Sequence, residues 1–180
     1  MIKAVFLDRD GTVNIHVPYL SKVTDFSLYP FAGEAIRRFN ENNYKVFIIT
    51  NQSGVGRGFF SERRLNKIHN KMLKDLSISK AEIDKIYFCT KRPEDQSEFR
   101  KPNPGMITQA IKEFDIDPNK SYMIGDRESD IVAGGRAGLK TFLVLTGYGQ
   151  DESKFADSWE INPDEIVKNI NEASIIITEK

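Results

Sequence analysis

The chain has 180 residues, 39% of them apolar and 29% charged, which suits a single domain spanning residues 1–180 with a buried core. Its 26 basic and 26 acidic side chains cancel, which excludes a global field drawing it to nucleic acid or an anionic membrane. One cysteine, Cys89, excludes an intramolecular disulfide framework and fits a reducing compartment.

The first apolar run, Ala4-Val5-Phe6-Leu7, reads as a strand that ends at two carboxylates one residue apart, Asp8 and Asp10. Asp8 cuts the run before it could act as a signal-peptide core or a membrane span, so a cytoplasmic protein is expected. Two adjacent carboxylates raise each other's pKa unless a cation sits between them or one carries a proton, and both escapes suggest chemistry. Asp10-Gly11 is also a hairpin-turn signal, and Val13, Ile15 and Val17 alternate as a returning strand would.

Further along, Phe31, Ala35, Ile36 and Phe39 recur at helical spacing until Asn42-Asn43 stops them. Tyr44 to Thr50 is β-rich and nearly continuously apolar, as in a parallel strand covered on both faces. Gln52 to Phe60 is a glycine-rich loop, and Ser61 caps a helix carrying Leu65, Ile68, Met72 and Leu76. Ile86-Tyr87-Phe88 predicts a third strand, Cys89 to Pro104 a proline-containing loop, and a helix starts near Met106.

Ser121 to Gly125 predicts a fourth strand ending at Asp126, Asp130 to Ala137 a helix closed by Gly138, and Lys140 to Leu145 a fifth strand. This alternation argues for an α/β fold: one Rossmann-like, doubly wound parallel sheet with helices on both faces. Ligands of such sheets bind beyond the carboxyl ends of the strands, where Asp8, Thr50 and Asp126 all fall. That convergence favours the parallel sheet over the surface hairpin.

Four segments stand in order: Asp8-Arg9-Asp10-Gly11-Thr12, Thr50-Asn51, Lys101-Pro102 and Gly125-Asp126-Arg127-Glu128-Ser129-Asp130. Together they resemble the four motifs of the haloacid dehalogenase (HAD) superfamily, from Val5 to about Gly147. The resemblance implies a phosphatase in which Asp8 is the nucleophile, forming an aspartyl-phosphate, and Asp10 the general acid and base. It implies Mg²⁺ held by the carboxylates of Asp8 and Asp126 and the backbone carbonyl of Asp10. Thr50 would bind the phosphoryl oxygens and Lys101 neutralise their charge, while Asp130 either orients Lys101 or a metal-bound water, or simply favours a helix start. Neither the loop after the first strand nor the loop after Cys89 is long enough for a cap domain, so the enzyme is expected to be capless.

A finer resemblance, to D-glycero-D-manno-heptose 1,7-bisphosphate phosphatases, rests on Asp8 to Asn14, on Thr50-Asn51-Gln52-Ser53-Gly54 with Arg57-Gly58, and on Arg100 to Met106. Histidinol-phosphate phosphatases share most of the first two segments and are the alternative, as is another small sugar-phosphate phosphatase. Asn51, Arg57, Arg100 and Arg127 join the expected substrate-binding set, for a sugar bisphosphate and a monomeric enzyme, with no nucleic-acid or membrane partner. Both families usually carry a Cys/His zinc cluster before the Lys-Pro. Here Cys89 stands without His or further Cys in that stretch, so no structural zinc is expected.

A receiver-like phosphoacceptor also joins acids, Thr and Lys on a parallel sheet. Receivers, however, place the acceptor Asp after the third strand, where this chain has Cys89. His16 and His69 lack the partners of a metal or triad site and are expected to be ordinary. Tyr19 is expected to anchor a loop, Trp159 to pack, and Arg63, Arg64 and Lys67 to form a solvated face.

Overall fold

Alternate residues of the first strand face opposite layers, and the sequence makes both apolar. The computed structural model describes residues 1–179. In it β1 (Ala4–Leu7) sends Val5 and Leu7 to one core and Ala4 and Phe6 to the other. The next strand, β2 (Lys45–Asn51), divides likewise, with Val46 and Ile48 on the first side and Phe47 and Ile49 on the second. Period-two alternation that is apolar on both faces is what a sheet covered on both sides requires.

The remaining strands are β3 (Lys85–Cys89), β4 (Tyr122–Gly125), β5 (Lys140–Val144) and β6 (Glu165–Val167). They form one parallel sheet in the order β3-β2-β1-β4-β5-β6. Apolar residues of α1 (Ala32–Glu41), α3 (Glu62–Ser77) and α7 (Ile170–Thr178) complete the first core, with Phe39, Met72 and Ile177 buried there. The second core takes Ile107 from α4 (Gly105–Phe114) and Ala133 from α5 (Glu128–Arg136). Two single-turn helices, α2 (Ser53–Gly56) and α6 (Gly149–Glu152), lie at the strand ends.

The hairpin alternative is not formed. β1 pairs in parallel with β2 on one side and β4 on the other, and Asn14 makes only isolated bridges, to Asp10 and to Leu28. Five strands fall where the sequence predicts, with ends shifted by a residue or so. β6 and α7 are additional. The loop of residues 52–60 contains the helical turn α2, and the loop after β3 contains one 3₁₀ turn, Pro93–Asp95. Trp159 is buried with Ile131, Leu143 and Ala156, so its part is packing.

Chain order reverses at β1: β2 and β3 build outward on one side, then β4 and β5 on the other. This switch point opens a crevice above the carboxyl ends of β1, β2 and β4.

Candidate functional site

Register alone brings the first two carboxylates together. Leu7 pairs with Ile124 and the Asp8 N–H donates to the Ile124 carbonyl at 2.9 Å, so Asp8 and Asp126 leave neighbouring strands side by side. Asp130 joins them from the first turn of α5, where its Oδ2 also accepts the Arg127 N–H at 3.1 Å. One carboxylate oxygen from each of Asp8, Asp126 and Asp130 lies within 4.8 Å of the others.

Lys101 enters from the loop between β3 and α4. Its ammonium is 2.6 Å from Oδ1 of Asp8 and 2.6 Å from Oδ1 of Asp130, and it donates to the Ile49 carbonyl at 2.7 Å. Asp130 thus does both things considered for it: it holds Lys101 and caps a helix. Asn51 fixes the backbone of Lys101 from both ends, its Nδ2 donating to the Lys101 carbonyl at 3.0 Å and its Oδ1 accepting the Lys101 N–H at 3.1 Å. The side-chain amide of Asn51 is committed to that task.

Burial and charge set the electrostatics. Burial opposes the charge of Lys101, but Asp130 and Asp8 outweigh it and hold its pKa above the ordinary lysine value. Burial pushes Asp8 up to about 7 against the pull of Lys101. Asp126, which forms no ion pair among the described residues, is pushed to about 8 by burial and by the charges of Asp8 and Asp130, with Arg127 pulling weakly the other way. Its Oδ2 accepts the Tyr148 N–H at 2.8 Å, while its Oδ1 is buried without a hydrogen-bond partner among the described residues. An orphaned carboxylate oxygen among three acids, opposed by one lysine, fits a hard divalent cation with oxygen ligands.

Asp10 is turned away from this cluster. Arg9 Nη2 donates to both of its oxygens, at 3.0 and 2.8 Å, and Asn14 Nδ2 and Gln52 Nε2 each donate at 3.0 Å. Burial would raise its pKa, but Arg9 and the amide donors win and hold it below the usual carboxylate range. Gln52 Nε2 also donates to Thr50 Oγ1 at 2.9 Å, linking Asp10 to Thr50.

Asp8, Asp10, Thr50, Asn51, Lys101 and Asp130 line a cleft of about 490 Å³ that also includes Arg57, Arg100 and Arg127, with Asp126 beside it against Asp8. All nine residues expected from the sequence therefore belong to one crevice or border it. Gln52, Arg9 and Asn14 were not singled out. Gln52 could have been found, since it lies two residues beyond Thr50 and an extended chain puts both on one side. His16, expected to be ordinary, lines the cleft and is hydrogen-bonded to Tyr148. Neither histidine joins the acid cluster.

The loop after β3 is tied by side-chain contacts. Arg92 grips Asp95 at 2.9 Å, Arg57 lies 3.6 Å from Glu94, and Asn103 Nδ2 donates to the Ser97 carbonyl at 3.0 Å. Among the described residues no helix is long and apolar enough to cross a membrane.

Residues 98–173 match the family model described as HAD-hydrolase-like. The chain is 43% identical over 155 residues to the D-glycero-beta-D-manno-heptose-1,7-bisphosphate 7-phosphatase of Haemophilus ducreyi, covering 81% of this chain and 84% of that one. It is 42% identical to the alpha-anomer enzyme of Campylobacter jejuni, over 85% and 87% of the two chains. The crystal structure of the D,D-heptose 1,7-bisphosphate phosphatase of B. bronchiseptica, complexed with magnesium and phosphate, superposes with a TM-score of 0.91 at 29% identity, covering 99% of both chains.

Proposed function

The chain belongs to the HAD-like family of D-glycero-D-manno-heptose-1,7-bisphosphate 7-phosphatases, and from that premise we propose that it removes the 7-phosphate of such a bisphosphate through an aspartyl-phosphate on Asp8. The observation that carries the mechanism is the separation of two carboxylates into two environments. Asp8 lies against Lys101 in the acid cluster, while Asp10 is held by Arg9, Asn14 and Gln52. Different surroundings suit different roles, one nucleophile and one proton carrier.

In the first step a carboxylate oxygen of Asp8 attacks phosphorus and the bond to the sugar oxygen breaks. Asp10, which must take up a proton beforehand, passes it to the leaving alkoxide. In the second step Asp10 takes a proton from water as that water attacks the phosphoryl group on Asp8, releasing phosphate and restoring the carboxylate. The donors around Asp10 favour its ionised form, which is the form the second step uses. Lys101 offsets negative charge on the phosphoryl oxygens, and Thr50, with its hydroxyl fixed by Gln52, hydrogen-bonds them.

Asp8 and Asp126, with the backbone carbonyl of Asp10, would hold a Mg²⁺ ion, which when bound supplies charge neutralisation of the phosphoryl group. Arg57, Arg100 and Arg127 carry more positive charge around the cleft than one phosphate needs, which supports a bisphosphate as substrate.

The relatives' names divide between the two anomers, so the test uses both. Phosphate release is measured from the α and β 1,7-bisphosphates, from sugar monophosphates and from histidinol phosphate, with Mg²⁺ and with chelator. Magnesium-dependent turnover with highest kcat/KM on a bisphosphate is expected. Preference for histidinol phosphate would overturn the substrate assignment.

A further inference from the structure

Three side chains from three separate loops stack along one wall of the cleft. The Arg127 guanidinium lies over the Tyr148 ring, with its carbon 3.8 Å from the ring centroid. The Tyr148 hydroxyl is 2.9 Å from Nε2 of His16, and the two rings meet edge-on with centroids 4.6 Å apart. These residues follow β4, β5 and β1, so only the fold brings them together.

We propose that Tyr148 and His16 are positioning residues that aim Arg127 at the second phosphate, so that this stack sets the preference for bisphosphates over monophosphates. The inference rests on the bisphosphatase reading above.

The argument begins with what each arginine of the cleft has to do already. Arg57 lies 3.6 Å from Glu94, and Arg100 donates to the Lys91 carbonyl at 3.0 Å. Among the described residues Arg127 has no carboxylate within reach and donates no side-chain hydrogen bond. Stacking engages only the face of a guanidinium. Its donors lie in the plane, so the whole fork stays free to grip a phosphate.

Position matters as much as freedom. The Tyr148 N–H is bound to Asp126 and the Arg127 N–H to Asp130, so both backbones are tied to the acid cluster where the first phosphate reacts. The distance from reacting to distal phosphate is thereby fixed by the fold. The bond from the Tyr148 hydroxyl to His16 then restrains the ring, which is otherwise a partly exposed side chain at a rim.

The test compares kcat and KM for the heptose 1,7-bisphosphate and for the same sugar carrying only the 7-phosphate. Tyr148→Leu is expected to raise KM for the bisphosphate about five- to twentyfold with kcat within about twofold, while kcat/KM for the monophosphate falls by less than about threefold. Tyr148→Phe keeps the stack and should lose about a third as much. His16→Gln, whose carbonyl can accept the tyrosine hydroxyl, should retain the preference that His16→Ala weakens. Equal losses on both substrates in Tyr148→Leu would overturn the inference, as would an Arg127→Ala variant with undiminished bisphosphate preference. A wild-type enzyme that treats the two substrates alike would instead overturn the bisphosphatase reading itself.

Discussion

The ammonium of Lys101 lies 2.6 Å from Oδ1 of Asp8, with both groups almost wholly removed from solvent. At that distance the lysine is the local counterion for the carboxylate, and it is shared with Asp130. Removing it leaves three acids facing one another without compensation. Lys101→Met is therefore expected to destabilise the metal-free protein by about 3–5 kcal/mol, the usual cost of stranding a buried charge. Urea unfolding measures this. Magnesium should recover more stability in the variant than in wild type, and a loss below about 1 kcal/mol would show that Lys101 is not the counterion.

Asp8→Asn preserves shape and removes the nucleophile. Turnover should fall by at least about a thousandfold while thermal unfolding remains cooperative, because an amide oxygen does not displace at phosphorus as a carboxylate does. Near-normal activity would sink the aspartyl-phosphate mechanism.

Asp10→Asn tests the proton carrier. The deficit should grow as the leaving group becomes poorer, since a sugar alkoxide needs protonation and a nitrophenolate hardly does. Equal losses for p-nitrophenyl phosphate and for the sugar phosphate would argue against an acid role.

His69 gives a pH prediction. It is buried on α3 beside Phe88, and burial, then the Arg9 charge, lowers its pKa from 6.5 to about 3. Between those values the unfolded chain binds a proton that the folded chain refuses, so stability drops as pH falls below about 6.5. From pH 6.5 to 5 the loss is about 1.6 kcal/mol, the slope approaching roughly 1.4 kcal/mol per unit once the unfolded histidine is mostly protonated. His69→Leu should flatten that limb by this amount in urea titrations at the two pH values. An unchanged slope would show that the histidine does not govern it.

Elemental analysis of the dialysed protein should find no stoichiometric zinc. The loop after β3 has at its start one thiol, that of buried Cys89 at the strand end, and Arg92, Asp95, Asn103 and Ser97 do the tying. One zinc per chain would mean that ligands come from elsewhere.

Asp8, Asp10, Thr50 and Asp126 could be located from the sequence because each sits at or just beyond the end of an apolar run, and strand ends converge in a parallel sheet, whereas Lys101, in a loop, was located only through the resemblance of Lys101-Pro102 to a family motif. The end of the chain was harder. β6 has three residues with Ile166 exposed, and it forms through backbone pairing with β5, a distant partner that local pattern does not reveal. α7 did carry a signal. Asn169 Oδ1 accepts the N–H groups of Asn171 and Glu172, and Glu172 reaches back to the Lys168 N–H, a capping arrangement readable as Asn-x-x-Glu. Tyr148 and His16 could not have been matched, because nothing in spacing relates loops 132 residues apart.

The pairing of β1 with β4 also orders events during synthesis. Asp8 leaves the ribosome well ahead of its neighbours Asp126 and Asp130 and of the strand that fixes its register, which come more than a hundred residues later. β1 can dock on β2 early, leaving its other edge open until β4 is made. A nascent chain that has passed Lys101 but not Asp130 carries the nucleophile without a formed acid cluster. The reactive centre therefore assembles late and all at once, and a stalled fragment holds an exposed strand edge rather than a partly working enzyme.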